Sequence, residues 1–356
     1  MRRLFLLALW LASTGVVAAQ PKNLEIYWID VEGGAATLIV TPSGESMLID
    51  TGWVVGDRDA KRIYAAAQLA GVKKIDDLVI SHFHADHVGG LAALVKLIPV
   101  GRFFDHGDVI EKANQQWLDS YHAASAGKRT IVKAGDEIPL KGVKVVVVSS
   151  DQHVIAKAIN GGGARNPLCE NAEEKAPVTP ENQRTIGVLL SYRKFTYLNL
   201  IDLDWEKDME LACPVNKLGT VSVYQTSRHG SLDGAGSPPF LGAIKPQVVV
   251  VNNGPRKGMG QVDPPKSLTP RGKQTTPYEH TSYLRLAKIP GIEGIWQGHL
   301  SLLDKDPAHN TSEDMIANFE ETAECKGNWI KASVAQDGKF TVTNGRNGFS
   351  KNYAAR

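Results

Sequence analysis

The stretch LVISHFHADHVGGLAAL, residues Leu78–Leu94, sets four metal-capable side chains, His82, His84, Asp86 and His87, within six positions. The whole chain holds only ten histidines, so this clustering calls for a chemical reason. The residues leading in, IDDLVISH (Ile75–His82), read as a buried strand. Where a chain leaves a strand still extended, residues two apart point the same way, so His82 and His84 can face one ion. Asp86 and His87 fall where the chain turns into an apolar helix, VGGLAALVKLIP, which stops at Pro99; their side chains can reach a second ion nearby. Gly89 and Gly90 allow the close backbone approach that such a turn needs. Neutral imidazoles and a carboxylate suit zinc, manganese or iron, and zinc is the usual choice for hydrolysis without redox chemistry. Four such groups buried without an ion would leave polar atoms unsatisfied. The cluster reads as a metal site.

Working outward, LEIYWIDV (Leu24–Val31), ATLIVTP (Ala36–Pro42) and SMLIDTG (Ser46–Gly52) are short strands, followed by an alanine-rich helix over Asp57–Val72. GVKVVVVSS (Gly142–Ser150) is a buried strand. TIGVLLSYRKFTYLNLIDL (Thr185–Leu203) predicts a hairpin turning at the Arg193-Lys194 pair. A short helix (Glu206–Pro214) and strands in TVSVYQTS (Thr220–Ser227) and PQVVVVNNG (Pro246–Gly254) follow. Between them, residues 158–183 are rich in Gly, Pro and Asn, and are read as a long loop inside one domain. Gly161–Gly163 lack the strand-then-helix setting of a phosphate loop and read as flexibility. Two β-rich halves with helices outside predict a four-layer αβ/βα sandwich of two mixed sheets.

The 356 residues are 42% hydrophobic and 22% charged, ordinary for a globular chain. A formal net charge of +2 argues against an extended nucleic-acid surface. Residues 1–19 read as a signal peptide: the positive MRR, an apolar run over Leu4–Val17, and small residues before a cleavage after Ala19. The expectation is a secreted or periplasmic protein with no membrane segment after cleavage. Residues 20–356 form a single domain, with a C-terminal β-hairpin near 327–350 turning at Asp337-Gly338. Of the cysteines Cys169, Cys213 and Cys325, at most two pair within the chain.

The HxHxDH pattern resembles the signature of the metallo-β-lactamase fold superfamily. DVEGGAATLIVTPSGESMLIDTG (Asp30–Gly52) is similar to that family's opening strands, and the resemblance runs from about Leu24 to Leu300. It implies Asp50 as the residue supporting the ligands, Asp202 as a metal-bridging aspartate and His229 as the last histidine ligand. The sequence around Arg228-His229-Gly230-Ser231 is similar to the hydrolase domain of bacterial DNA-uptake proteins, which carry His-His-Gly-Ser there. Arg228 departs from that pattern. The family's middle histidine is replaced too: counting back from Asp202 reaches Asn182, with His153 the rival. The implied arrangement puts His82, His84 and Asn182 on one zinc ion, Asp86, His87 and His229 on a second, and Asp202 between them. Asp86 would also shuttle a proton as a catalytic residue.

The implied activity is a secreted dinuclear zinc hydrolase, with Mn or Fe as other metals. A phosphodiester or other small nucleotide-like substrate ranks first and a lactam or lactone second. Its motive is the resemblance at Arg228–Ser231 together with a basic loop, NNGPRKG, in which Arg256 and Lys257 would bind the substrate anion. The alternatives are a binding or scaffold protein with a degraded site, and an iron-dependent oxidoreductase using Glu181. His106 reads as an ordinary loop histidine, and His280 and His299 as packing residues.

Overall fold

A computed structural model describes residues 22–176, 180–231, 234–261, 282–304, 306–321 and 323–356. The expected signal peptide and His280 lie outside the described residues. Strands β1 (Leu24–Trp28), β2 (Thr37–Val40), β3 (Ser46–Ile49), β4 (Ile75–Val79), β5 (Val100–Asp105) and β6 (Arg129–Ile131) build a first sheet. Strands β7 (Glu137–Ile138), β8 (Lys144–Ser150), β9 (His153–Val154), β10 (Gly187–Tyr192), β11 (Phe195–Asn199), β12 (Val223–Gln225), β13 (Val248–Val251) and β14 (Gly294–Gln297) build a second. The chain then returns: β15 (Ile330–Val334), β16 (Lys339–Asn344) and β17 (Ser350–Ala354) join the first sheet, β15 pairing antiparallel with β1. The expected terminal hairpin is thus part of a three-strand meander that extends a sheet edge. Both sheets mix parallel and antiparallel pairs: β3 runs parallel to β4 and β4 to β5, whereas β10 and β11 form the antiparallel hairpin expected at Arg193.

The side-chain alternation of β4 explains the layers. Val79 points into a core shared with Val147, Val188, Tyr197 and Trp296 of the second sheet, while Leu78 and Ile80 point the other way, towards Ala60, Ile63 and Leu91. That outer face is covered by α1 (Arg58–Leu69), α2 (Ala85–Val88), α3 (Leu91–Leu94) and α4 (Gln115–Ser125). Beyond the second sheet lie α6 (Trp205–Ala212), α7 (Pro238–Ile244) and α8 (Ser282–Ala287), while α5 (Pro180–Gln183) meets the loops after β4 and β5. Leu211, Phe240, Leu241 and Leu286 of this group pack on Val146, Leu198 and Val249. Helix, sheet, sheet, helix: the four-layer sandwich predicted from the sequence is the observed fold. The single helix expected over Val88–Pro99 is instead two one-turn pieces, because the chain must bend at Gly89-Gly90. A Cβ at Gly90 would lie 2.1 Å from the Thr51 carbonyl oxygen, so only glycine lets the backbones meet.

A disulfide joins Cys169 to Cys213, tying the long loop to the end of α6 across 44 residues of sequence; Cys325 is free and buried. Among the described residues no helix is long and apolar enough to cross a membrane.

Candidate metal centre

The centre forms where β3, β4, β11 and β12 end. After β4 the chain stays extended through His84, the residue preceding α2 (φ −86°, ψ 151°), and then turns so that Asp86 and His87 occupy the first helical turn. β11 ends three residues before Asp202 and is held to the turn after β12 by Arg228 N–H donating to Ile201 O at 2.7 Å. Arg228 and His229 both adopt left-handed backbone (φ 52° and 54°), a conformation that side chains other than Gly and Asn rarely take. The turn aims His229 inward. Its carbonyl oxygen accepts Met259 N–H at 3.0 Å, and a Cβ on Gly258 would come within 2.0 Å of the same oxygen.

Asp86, His87, Asp202 and His229, all buried, bring ligand-capable atoms within 4.8 Å of one another. His229 Nε2 is 3.1 Å from Asp86 Oδ2 and 3.3 Å from Asp202 Oδ1; His87 Nε2 is 3.0 Å from Asp86 Oδ2 and 3.6 Å from Asp202 Oδ2. His82 Nε2 lies 2.9 Å from His84 Nδ1, and the His82 and His87 rings are 4.1 Å apart. Yet His87 Nε2, His229 Nε2 and Asp202 Oδ1 are buried without a well-formed hydrogen bond among the described residues. Buried polar atoms left so are costly, and imidazole nitrogen with carboxylate oxygen is a zinc donor set. The residues fit a metal.

Electrostatics point the same way. Burial opposes charge on Asp86 but is outweighed by His87, His229 and Lys257, which hold its carboxyl well below the usual range. Burial at Asp202 is likewise overcome by His229 and His87. At His87 burial is outweighed by Asp86, Asp202 and Asp50, so its pKa is held well above the ordinary histidine value. At His82 burial, reinforced by the charges of His87 and His84, pushes the pKa well down. Two buried carboxylates thus keep their charge at this point, opposite His87.

Asp50 stands at the end of β3 with left-handed backbone (φ 62°). Its Oδ2 faces His87 Nδ1 at 2.8 Å, while Ser81 donates from N–H at 2.8 Å and from Oγ at 2.7 Å. Two further residues were not legible in the sequence. Glu111 Oε2 faces His84 Nε2 at 3.2 Å, and its Oε1 accepts Glu181 N–H. Asn252 Nδ2 lies 3.1 Å from His229 Nδ1 and donates to Gly34 O. Glu111 had no motif around it, and Asn252 could be read only as loop.

Asn182 is buried in α5, and the preceding Glu181 accepts the N–H of Phe83, which lies between His82 and His84. His153 is exposed on β9. The helix that carries Asn182 therefore lies beside the motif. Glu181 does not reach the cluster as an iron ligand: its Oε1 also takes His106 Nε2 at 3.1 Å. His106 is thus not an ordinary loop histidine but a fully buried support for α5. The basic loop divides as well. Lys257 Nζ pairs with Asp86 Oδ2 and sits 4.5 Å over the Trp53 ring, whereas Arg256 is exposed and paired with Glu321. Lys257 thus stands beside Asp86, whereas the Arg256 guanidinium is turned to Glu321.

The family profile described as Metallo-beta-lactamase superfamily matches residues 29–155. The chain is 24% identical to Recombination protein 2 of Haemophilus influenzae over 64% of its own length and 24% of that protein. It is 30% identical to a UPF0173 metal-dependent hydrolase of Polynucleobacter asymbioticus over 41% of its own length and 50% of that protein. It therefore spans about a quarter of the first of these relatives and half of the second. Among solved structures it is similar to the metallo-beta-lactamase fold protein YhfI from Bacillus subtilis, with 10% identity, a TM-score of 0.40, and coverage of 65% of this chain and 87% of that one. The profile match over residues 29–155 and the two-sheet sandwich together support the metallo-beta-lactamase superfamily fold for this chain.

Proposed function

We propose that the protein is a secreted metal-dependent hydrolase with a dinuclear zinc centre, acting on a phosphodiester or nucleotide-like substrate in preference to a lactam or lactone. The convergence of Asp86, His87, Asp202 and His229 on one point, with the Lys257 ammonium beside Asp86, carries this reading. His82, His84 and Asn182 would hold one ion, Asp86, His87 and His229 the other, and Asp202 would bridge. Bound there, zinc supplies a Lewis acid and brings a water's pKa towards neutrality.

The protein's own groups do the rest. Asp50 fixes the His87 ring so that Nε2 faces the cluster, and Glu111 does the same for His84 through Nε2, leaving Nδ1 inward. Lys257, half-buried and packed over Trp53, is poised to leave Asp86 for a substrate phosphate oxygen and offset its charge. Asp86 carries a proton between the attacking water and the leaving group. The similarity to Recombination protein 2 supports the nucleotide-like ranking, and the Cys169–Cys213 disulfide supports an oxidising compartment. Against a degraded site stand the unsatisfied ligand atoms, which a scaffold role would not require.

The test is a substrate panel on zinc-loaded protein: a bis-aryl phosphodiester, a lactam and a lactone. Phosphodiester turnover well above the other two supports the proposal; turnover of the lactam or lactone alone removes the ranking.

A further inference from the structure

Away from the Asp86 cluster, three buried side chains from distant parts of the chain meet. Asp30 follows β1, His299 follows β14 and Cys325 precedes β15; they are 5%, 0% and 6% exposed. Cys325 Sγ lies 3.8 Å from Asp30 Oδ2 and 4.0 Å from His299 Nε2, and the ligand-capable atoms of all three fall within 4.8 Å. The side-chain oxygen of fully buried Asn318, which accepts from Asn328 N–H at 2.8 Å and Asn328 Nδ2 at 3.0 Å, lies 3.9 Å from the same sulfur. A thiol is only a weak donor, and these separations are long for hydrogen bonds. They are close to what four ligands around one ion require.

We propose that Asp30, His299 and Cys325 form a structural site for one zinc-class divalent ion, separate from the candidate hydrolytic centre, with Asn318 Oδ1 as a fourth donor once it gives up one of its two hydrogen bonds from Asn328. Around tetrahedral zinc, ordinary Zn–S, Zn–N and Zn–O bond lengths place sulfur roughly 3.5 Å from each neighbouring donor atom. The observed spacings exceed that by about 0.5 Å or less, a small contraction. The ring is oriented suitably: Nδ1 faces the Leu300 carbonyl at 3.3 Å, the outer contact that ligating histidines make. On binding, the Cys325 thiol releases its proton to solvent, and the proton that Nε2 directs at Glu320 O at 3.1 Å passes to Nδ1, or to solvent where Nδ1 already carries one, which frees the Nε2 lone pair for the ion.

Besides Arg58, which acts on Asp30 from farther off, Arg62 lies near the cluster, with Nη1 3.6 Å from Asp30 Oδ2. Its charge is already answered by Glu32 at 3.0 Å, and it donates to the Cys325 carbonyl, so it anchors the site's rim. The ion would join the end of β1, the end of β14 and the approach to the C-terminal meander, stapling the first sheet to the second. The competing arrangement is an imidazolium donating to both carbonyls and balanced by the Asp30 carboxylate.

Cobalt(II) substitution separates the two, because a thiolate ligand gives a near-ultraviolet sulfur-to-cobalt charge-transfer band that histidine and carboxylate ligands do not. With Cys169 and Cys213 bonded to each other, that band can come only from Cys325. The proposal expects the band in the wild type and in a His87→Ala/Asp202→Asn variant, its loss in Cys325→Ser, and one fewer bound ion in that variant. Absence of the band in cobalt-loaded wild type overturns the site, whatever the variants do. An unchanged metal count in folded Cys325→Ser overturns it too. If Cys325→Ser does not fold, His299→Gln is read in its place by the same two criteria.

Discussion

At the scale of single residues, the side chains that orient the candidate ligands matter as much as the candidate ligands themselves. Asp50 accepts from both His87 Nδ1 and Ser81; an amide there would present a donor where an acceptor is needed. Asp50→Asn should therefore weaken zinc affinity by roughly 10- to 100-fold, measured by chelator competition, and unchanged affinity would contradict the orienting role. Lys257 and Arg256 are adjacent but engage Asp86 and Glu321 respectively. Losing a charge-assisted bond worth roughly 1.5–3 kcal/mol should cost Lys257→Ala about 10- to 100-fold in kcat/KM on a phosphodiester. Arg256→Ala should stay within about twofold, since exposed ion pairs contribute little. An equal fall in both variants would show that the loop acts as a whole. The HxHxDH ligands were legible because strand geometry alone puts His82 and His84 on one side. Glu111 was not, since its role depends on which loop lies over His84. His106 misled for a related reason: a histidine between turn residues gives no sign that a buried carboxylate waits 75 positions away.

At the scale of elements, the centre depends on turns that only certain residues can make. Gly258 has φ +91° and lies against the His229 carbonyl. Gly258→Ala should lower the melting temperature and release metal more readily, because relieving the clash must move the His229 turn; a variant with wild-type metal retention would argue against that coupling. The Cys169–Cys213 bridge closes the loop that precedes α5, the element carrying Asn182. Removing it should cost roughly 2–4 kcal/mol by the chain-entropy account, read as a lower denaturation midpoint in Cys169→Ser/Cys213→Ser. No change would mean the loop is ordered without it. Strands such as β8 and the β10–β11 hairpin were readable from β-branched runs and the Arg193 turn. The split of the helix after the motif was not, because apolar spacing over Leu91–Ile98 is helical whether or not Gly90 must touch Thr51.

At the scale of the molecule, four layers leave many carboxylates buried, and one of them gives the fold a pH signature away from the centre. Burial raises Asp208 from 3.8 to about 7 despite hydrogen bonds from Ser237 and Gly236. The native state therefore holds this proton more tightly than the unfolded chain. The stabilisation is full below about pH 4 and is lost as pH rises through about 7. Asp208→Asn removes that loss, so its melting temperature relative to wild type should improve between pH 5 and pH 8; a pH-independent difference would contradict the assignment. The sandwich was legible as a whole because two β-rich halves with outer helices have few ways to bury both sheet faces. The return of β15–β17 to the first sheet was not, since a C-terminal hairpin carries no record of which edge it joins.

The central claim is that the clustered residues hold a pair of metal ions. Elemental analysis of the purified wild type beside a folded His82→Ala/His87→Ala/Asp202→Asn variant tests it most directly. The account predicts that the wild type binds two more ions per chain than the variant, both zinc. Equal metal content in the two proteins would contradict it.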